Sequence, residues 1–227
     1  MTSYAAICFD LDRTICEPTR ETDSVLEAAF ARAGVDPFCT AAEMRAAVPS
    51  LPTAETDREF FELLFAELAG RTGVDPALAP TLAESYLAER DPTAVRFRPG
   101  AEAALEYARE RAPVGLITNG GRETQTRKLR ALGIEDTFDA AVFTEPSAGI
   151  YPKPDLAPFE HALGTLGADP HEAIHVGDSL HADVAGANAV GMDSAWLSAI
   201  DGPDASASAD HRPTYELPSL ESFETIV

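Results

Sequence analysis

Apolar residues at the start of the chain form one short run that ends abruptly in acidic side chains. Residues 4–9 read Tyr-Ala-Ala-Ile-Cys-Phe, and Asp10 and Asp12 follow with one leucine between them. A run of this length, bounded by charge, is typical of a strand buried on both faces of a parallel sheet. Ligand sites of α/β sheets lie beyond the carboxyl ends of such strands. The two carboxylates are therefore candidates for chemistry.

Asp10 and Asp12 place two acids one residue apart. Two carboxylates this close in a cleft cannot both stay ionised unless a cation or a shared proton offsets their repulsion. The pair therefore indicates a metal site, a role in proton transfer, or both. The alternative interpretation is structural, with Asp10 capping the next segment and Asp12 in a solvated turn. This stretch alone does not choose between the two.

The segment that follows shows helical periodicity and no strand pattern. Apolar stripes at helical spacing, glycines after the stripes and prolines between them predict four helices. These helices cover residues 25–33, 41–48, 60–68 and 77–89. We expect residues 16–95 to form an inserted α-helical domain whose aromatic residues build its own core.

From residue 96 onward, strand patterns and helix patterns alternate. Strands are predicted at residues 113–117, 138–143, 173–176 and 194–197 and near Tyr215. Helices are predicted at residues 100–111, 124–132, 154–166 and 182–189 and at the C-terminus, with an exposed loop at 201–211. Such alternation predicts an α/β fold, a Rossmann-like three-layer core with a parallel sheet, built from residues 1–15 and 96–227.

Polar residues end three of the predicted strands. Asp10 and Asp12 follow the first, Thr118 and Asn119 the second, and Asp178 a later one. Right-handed crossovers bring the carboxyl ends of parallel strands to one edge, so these side chains should share a crevice. For a phosphate ester, carboxylates would hold Mg²⁺, and hydroxyl, amide and backbone donors would bind phosphoryl oxygens.

The charge of the chain is unusual. Its 227 residues include 38 acidic and 17 basic side chains, a net charge of −21, while the apolar fraction of 45% is ordinary. Lys128 and Lys153 are its only lysines. Strong self-repulsion that molar salt would screen indicates a salt-adapted, halophilic cytoplasm. The same charge disfavours nucleic-acid and anionic-membrane partners.

The remaining candidates are interpreted as structural. Cys8, Cys16 and Cys39 have no paired spacing, which predicts reduced, buried thiols. The N-terminus lacks a signal-peptide pattern, and no apolar run is long enough to span a membrane. His171 and His175 are kept off one helix face by Pro170 and are not expected to form a metal pair. The basic residues between positions 122 and 130 are expected to form a solvated helix face.

Four stretches resemble, in order and spacing, the four motifs of the haloacid dehalogenase-like hydrolases. They are Asp10-Leu11-Asp12-Arg13-Thr14, Ile117-Thr118-Asn119-Gly120, Lys153-Pro154-Asp155, and Gly177-Asp178-Ser179 with Asp183. The resemblance covers the α/β core, and the helical insertion at 16–95 stands where that family carries its first-position cap.

The resemblance implies a Mg²⁺-dependent phosphatase that forms an aspartyl-phosphate. Asp10 would be the nucleophile and Asp12 the general acid and base, with Lys153 neutralising charge. Thr118 and Asn119 would bind the phosphoryl group. Mg²⁺ would be held by Asp10, Asp178 and the backbone carbonyl of Asp12. Asp183 would orient Lys153 or a metal-bound water.

The expected substrate is a small phosphorylated metabolite, with phosphoglycolate, a nucleotide and a sugar phosphate as candidates. A phosphomutase, a 2-haloacid dehalogenase and a non-catalytic phosphate-binding module remain alternatives on the same fold. Asp12 disfavours the dehalogenase, whose branch lacks a second acid. Arg13 departs from the glycine that the family most often has, and its role does not follow from the sequence; nor does the oligomeric state.

Overall fold

A computed structural model describes residues 3–198 and 211–227, so that nearly all of the loop expected at 201–211 lies outside the described residues. The strands are β1 (Ala6–Phe9), β2 (Cys16–Pro18), β3 (Val95–Phe97), β4 (Val114–Thr118), β5 (Ala140–Phe143), β6 (Ala173–Gly177), β7 (Asp193–Leu197) and β8 (Tyr215–Leu217). Six of them form one parallel sheet in the order β5-β4-β1-β6-β7-β8. The prediction of a parallel α/β sheet is confirmed.

The first strand lies in the interior of this sheet and is completely buried. It pairs with β4 on one side and with β6 on the other, with Phe9 opposite both Leu116 and Val176. Gly115 makes the close approach of β4 possible, because a side-chain carbon there would lie 2.8 Å from the Cys8 sulfur. The register sets the ends of β1, β4 and β6 at one level of the sheet edge.

The helices are α1 (Thr22–Ala33), α2 (Ala41–Ala47), α3 (Asp57–Thr72), α4 (Ala79–Glu89), α5 (Ala101–Arg109), α6 (Arg122–Leu132), α7 (Ala157–Leu166) and α8 (Ala185–Val190). Alternate residues of β1 contribute to two separate apolar clusters. Ile7 and Phe9 pack with residues of α5 and the C-terminus. Ala6 and Cys8 pack with Phe159 of α7 and with α8. The sheet is thus covered on both faces, as a three-layer α/β fold requires.

The chain divides into two compact units. One consists of Met1–Glu17 together with Val95–Val227, and the other is Pro18–Ala94. The second unit contains α1 to α4 around an apolar core of its own, in which Phe61, Phe65 and Tyr86 pack ring against ring. Thr40 begins α2 with a capping box, accepting from the Glu43 amide while the Glu43 carboxylate accepts from Thr40.

A two-stranded ribbon is formed by the chain segments that lead from one unit into the other. The sequence periodicity predicted no strand in these segments. The ribbon pairs β2 with β3, and Glu17 of β2 binds both Arg96 and Arg98. Strands of three residues are too short to show an alternation that sequence reasoning can detect. The expectation of a purely helical segment from residue 16 is therefore wrong at its edges.

Three helix predictions also need correction. Pro154 does not open a helix: α7 begins at Ala157, whose amide is bound by the Asp155 carboxylate. The helix expected at 182–189 begins with a π-helical turn, Leu180–Val184, before α8. The C-terminal helix is the 3₁₀ segment Leu220–Thr225. Within the described ranges, every helix is too short or too polar to cross a bilayer.

Candidate active site

Three strand ends deliver the predicted side chains to one edge of the sheet. Asp10 follows β1, Thr118 is the last residue of β4, and Asp178 follows β6. The Asp10 amide donates to the Val176 carbonyl at 2.9 Å, which continues the pairing of β1 and β6 beyond the last strand residue. The convergence expected from the topology is therefore present in the structure.

Lys153 is the centre of a buried network. Its ammonium nitrogen lies 2.8 Å from Asp10 Oδ1, 2.7 Å from Asp183 Oδ1 and 2.6 Å from the Ile117 carbonyl oxygen. The residue is 4% exposed, so its three donors are fully used away from bulk water. Charge-assisted hydrogen bonds of this kind fix the position of both aspartates relative to the strand end.

Asp183 binds three donors with its two oxygens. Oδ1 accepts from Lys153 and lies 2.9 Å from His175 Nε2, and Oδ2 accepts from the Ser179 amide at 3.0 Å. Although burial opposes ionisation, Lys153 and His175 hold the pKa of Asp183 well below its usual range. Asp183 lies in the π-helical turn that begins at Leu180. Its carboxylate can occupy this position because residue 177 is a glycine: a side-chain carbon there would overlap it.

The acids facing this network carry raised pKa values. Burial raises the pKa of Asp10 to about 8; Lys153 opposes the shift, and the carboxylates of Asp183 and Asp178 add to it. Burial, followed by the charge of Asp183, raises the pKa of Asp178 to about 7. Burial alone would lower the pKa of Lys153, but Asp10 and Asp183 outweigh it and raise it. The site thus holds more negative charge than its own cations neutralise.

Carboxylate oxygens of Asp10, Asp178 and Asp183 all lie within 4.8 Å of one another. Hard oxygen donors in a site with excess negative charge fit a cation such as Mg²⁺. The oxygens of Asp183 already bind Lys153, His175 and Ser179, which leaves Asp10 and Asp178 as the better matched ligands. The residues present therefore fit the metal that the sequence predicted.

Arg13, the departure from the family pattern, contacts Asp178. Its Nε lies 3.0 Å from Asp178 Oδ2, and the Arg13 side chain is 29% exposed. Its backbone has φ of 67°, the left-handed region that favours glycine, and it is the one residue other than glycine with positive φ among those described. Position 13 therefore keeps the backbone conformation of a glycine while adding a positive charge beside a candidate metal ligand.

Asp12 belongs to a second network on the side of α6. Lys128 Nζ lies 2.6 Å from each Asp12 carboxylate oxygen, and Gln125 Nε2 donates to Asp12 Oδ2 at 2.9 Å. The same Gln125 amide nitrogen donates to Thr118 Oγ1 at 2.6 Å. Asp12 and Thr118, which sequence reasoning assigned to different roles, are therefore joined through one side chain.

Asn119 makes two contacts in addition to the role that the sequence assigned to it. Its Oδ1 accepts from the Lys153 amide at 2.7 Å, and its Nδ2 donates to the Lys153 carbonyl at 2.9 Å. This reciprocal pair mimics a strand contact and fixes the backbone that carries Lys153. The side chain of Asn119 thus holds the backbone of Lys153 beside the end of β4.

Sequence reasoning missed Lys128 and Gln125. The expectation that the basic residues of α6 form a solvated face is wrong for Lys128, which is 3% exposed, and right for Arg127 and Arg130. The available signal was composition, because Lys128 is one of only two lysines in the chain and the other, Lys153, belongs to a recognised motif. The structure buries both lysines in this site. Arg122 is exposed, as predicted, and binds Glu145, with Nε 2.9 Å from Oε1.

Comparisons with known proteins agree with this geometry. The family model described as haloacid dehalogenase-like hydrolase matches residues 4–191. The chain is 31% identical over 221 residues to a phosphoserine phosphatase of Thermus thermophilus, covering 84% of this chain and 87% of that protein. It is 33% identical over 157 residues to a ribulose-1,5-bisphosphate 5-phosphatase of Halopiger xanaduensis, covering 69% and 62%.

A solved structure shares the fold. It is described as a predicted phosphoglycolate phosphatase from Haemophilus somnus and superposes with a TM-score of 0.77 at 18% identity, covering 100% of this chain and 99% of that one. Together with the motif residues at the sheet edge, the family match confirms the resemblance seen in the sequence. The chain belongs to the haloacid dehalogenase-like hydrolases and is an enzyme of that family.

Proposed function

We propose that this enzyme is a Mg²⁺-dependent phosphatase that hydrolyses a small phosphorylated metabolite through an aspartyl-phosphate on Asp10. One observation carries the proposal: Asp10 and Asp12 stand side by side at the sheet edge, and each is bound by its own buried lysine. Two carboxylates with separate environments can take separate roles, one as nucleophile and the other in proton transfer.

In the first half of the reaction, an Asp10 carboxylate oxygen attacks phosphorus and the bond from phosphorus to the substrate oxygen breaks. The protonated Asp12 carboxyl gives its proton to the departing alcohol. Lys153, 2.8 Å from Asp10, offsets charge on the nucleophile and the phosphoryl group. Thr118 at the end of β4 donates its hydroxyl to a phosphoryl oxygen.

In the second half, water attacks the phosphorus of the aspartyl-phosphate on Asp10 and passes a proton to the Asp12 carboxylate. The acyl-phosphate bond breaks, which releases inorganic phosphate and restores Asp10 as a carboxylate. Asp12 ends protonated and ready for another cycle, so protons balance over the whole reaction.

Asp10 and Asp178, with the backbone carbonyl of Asp12, would hold the metal. Bound Mg²⁺ would neutralise charge on the phosphoryl oxygens. Asp183 supports the site from behind by binding Lys153 and His175. Burial raises the pKa of Asp10 and of Asp178, and neighbouring carboxylates add to both shifts, so that a bound cation would stabilise the ionised forms.

The substrate is proposed at the level of its class. The two curated relatives are named for phosphoserine and for ribulose-1,5-bisphosphate, which are both small phosphate esters. Phosphoglycolate, a nucleotide and a sugar phosphate remain candidates for this chain. The helical unit Pro18–Ala94 is proposed to be the cap that selects among them, because it is inserted directly after the loop of Asp10 and Asp12.

The working environment is proposed to be a cytoplasm of high salt. Net charge of −21 is carried on a surface whose cations are arginines, since both lysines are buried in the site. Salt at molar concentration shortens the screening length to about 3 Å, which would relieve repulsion among the exposed carboxylates.

The test is hydrolysis of p-nitrophenyl phosphate in molar KCl, with and without Mg²⁺. The wild-type chain should release phosphate only with the metal, and Asp10→Asn should lose that activity. Asp136→Asn, which changes an exposed acid of the same unit, should keep it. Turnover that survives Asp10→Asn would contradict the covalent mechanism.

A panel of phosphoserine, phosphoglycolate, nucleoside monophosphates and sugar phosphates then identifies the substrate class. Activity that appears only after a phosphorylated activator is added would indicate a phosphomutase instead. Release of halide from a 2-haloacid without phosphatase activity would indicate the dehalogenase alternative.

A further inference from the structure

Each of the two lysines of the chain binds one of the two aspartates, Asp10 and Asp12. Lys153 binds Asp10, and Lys128 binds Asp12. Both lysines are nearly inaccessible, at 4% and 3% exposure, in a protein whose surface is otherwise dominated by acids. Lys153 belongs to a family motif and has a role in the reaction steps proposed above, whereas Lys128 appears there only as the partner of Asp12, with no role in a step.

Lys128 contacts both oxygens of the Asp12 carboxylate. Its nitrogen is equidistant from the two oxygens, 2.6 Å from each, and its side chain is 4% exposed while that of Asp12 is 41% exposed. A carboxyl group contacted at both oxygens cannot turn about its terminal bond without breaking one of these contacts, whether it is ionised or one of its oxygens carries the proton. The exposed part of Asp12 therefore faces outward in a fixed orientation.

Gln125 extends this contact to the phosphate-binding side. Its amide nitrogen donates one hydrogen to Asp12 Oδ2 and the other to Thr118 Oγ1. A flipped amide would place its oxygen against the Asp12 carboxylate, which excludes the opposite orientation. Because Thr118 Oγ1 accepts this bond, its own hydrogen is left to point elsewhere as a donor.

The position of Gln125 is itself constrained. The residue is 1% exposed, and a side-chain carbon at Gly120 would lie 2.8 Å from its amide carbon and amide nitrogen. The loop after β4 thus leaves just enough room for this amide. Lys128 follows three positions later on the same helix, α6, so the two side chains share a face.

We propose that Lys128 and Gln125 are positioning residues for the phosphoryl-transfer step. They act through their partners: Lys128 and Gln125 orient the Asp12 carboxyl towards the substrate oxygen, and Gln125 also directs the Thr118 hydroxyl hydrogen towards a phosphoryl oxygen. This inference rests on the proposed function, in which Asp12 protonates the departing alcohol as the bond from phosphorus to oxygen breaks.

The leaving group of the substrate provides a readout that a structural role would not move. A poor leaving group such as an alkyl alcohol needs the proton from Asp12, whereas 2,4-dinitrophenolate departs without it. Lys128→Met removes the ammonium and keeps an unbranched buried side chain. We expect its kcat/KM to fall about 10²-fold or more for an alkyl phosphate and less than about threefold for 2,4-dinitrophenyl phosphate.

The controls separate positioning from folding. Arg127→Met, an exposed change on the same helix, should leave both substrates unaffected. Asp12→Asn should show the same dependence on leaving group, and adding Lys128→Met to it should cause no further loss for the alkyl phosphate. If Lys128→Met does not fold, as judged by thermal unfolding, Gln125→Leu is the second variant: its loss should be larger for the alkyl phosphate than for 2,4-dinitrophenyl phosphate, on top of a loss through Thr118 that both substrates share.

An equal loss for both substrates in a folded Lys128 or Gln125 variant would overturn the inference. So would losses that multiply in the double variant, because residues acting through Asp12 cannot matter once Asp12 is gone. Failure of the proposed function looks different: the wild-type chain would then hydrolyse neither phosphate ester.

Discussion

Lys153 donates a hydrogen bond to Asp10 over 2.8 Å, although 143 positions separate the two residues in the chain. The same ammonium also binds Asp183 and the Ile117 carbonyl, so one side chain connects β4 with residues that follow β1 and β6. Removing a partner from such a buried group leaves an uncompensated charge. The site is therefore expected to respond strongly to small changes in its supporting shell.

Gly177 is one such position. Gly177→Ala would place a methyl group inside the space of the Asp183 carboxylate and push that carboxylate off Lys153. We expect a loss of roughly 1–3 kcal/mol in the free energy of unfolding, together with a large fall in phosphatase activity. Chemical denaturation and steady-state kinetics measure the two effects.

Gly164→Ala is the matched control. Gly164 lies in α7, and a side-chain carbon there would meet nothing within 4 Å. Alanine in a helix interior should raise stability by about 0.5–1 kcal/mol without affecting activity. Equal stability of the two variants would show that the space at Gly177 is not constrained by Asp183.

Arg13 allows charge and backbone conformation to be separated. Arg13→Ala and Arg13→Gly both remove the ion pair with Asp178, but only glycine adopts φ of 67° without a steric penalty. The glycine variant should therefore be the more stable of the two by about 1 kcal/mol in denaturant unfolding. Indistinguishable unfolding curves would mean that the loop relaxes around alanine.

The same pair of variants tests how Arg13 affects the metal. A guanidinium 3.0 Å from Asp178 competes electrostatically with a cation at that carboxylate. Both variants should bind Mg²⁺ more tightly than the wild-type chain in calorimetric titration. Weaker binding in both would show instead that Arg13 orients Asp178 for the metal.

The raised pKa values of Asp10 and Asp178 predict a coupled effect of pH and metal. In the metal-free protein, folding favours the protonated form of each, so their contribution to stability is complete below the unfolded-state pKa of about 4 and is lost progressively as pH rises to about 7 to 8. Since Mg²⁺ competes with those protons, its affinity should rise over the same interval.

Thermal unfolding with and without Mg²⁺ at several pH values measures this coupling. The increase in Tm caused by the metal should be small near about pH 6 and larger near about pH 8.5. Asp178→Asn should lose most of the increase at both. A metal effect that is independent of pH in the wild-type chain would contradict the assignment of these two carboxyls as ligands.

Salt should stabilise the fold through screening. The charge of −21 is spread over exposed acids, and the Debye length falls from about 10 Å at 0.1 M to about 3 Å at 1 M. Tm should rise over that range of KCl and change less above it, because little repulsion remains to be screened. A Tm that stays constant or falls between these concentrations would rule out the halophilic interpretation.

The strand pattern and the strand-end residues were predictable because they follow from local rules. An apolar run that ends in Asp10, and another that ends in Thr118, indicates both a strand and the edge at which its end lies. The structural interpretation of Cys16 followed from the lack of a paired cysteine spacing, and the residue is fully buried.

The contacts around Asp12 were not predictable from local rules. Lys128 lies on a helix rich in basic residues, and nothing in its spacing distinguishes it from exposed Arg127 and Arg130. Its burial depends on how α6 is set against the sheet edge, which is a tertiary property. The start of α7 was misplaced for a different, local reason: the Asp155 carboxylate accepts from the Ala157 amide, so the helix begins three residues after Pro154.

Asp10 is proposed to carry the phosphoryl group during turnover. The most direct test is mass spectrometry of Asp12→Asn after reaction with 2,4-dinitrophenyl phosphate in molar KCl and Mg²⁺, a substrate that can phosphorylate the enzyme without a general acid. We expect a phosphoryl adduct on the peptide that contains Asp10, and no adduct on the same peptide when Asp10→Asn is also introduced. No adduct on that peptide, despite release of dinitrophenolate, would contradict it.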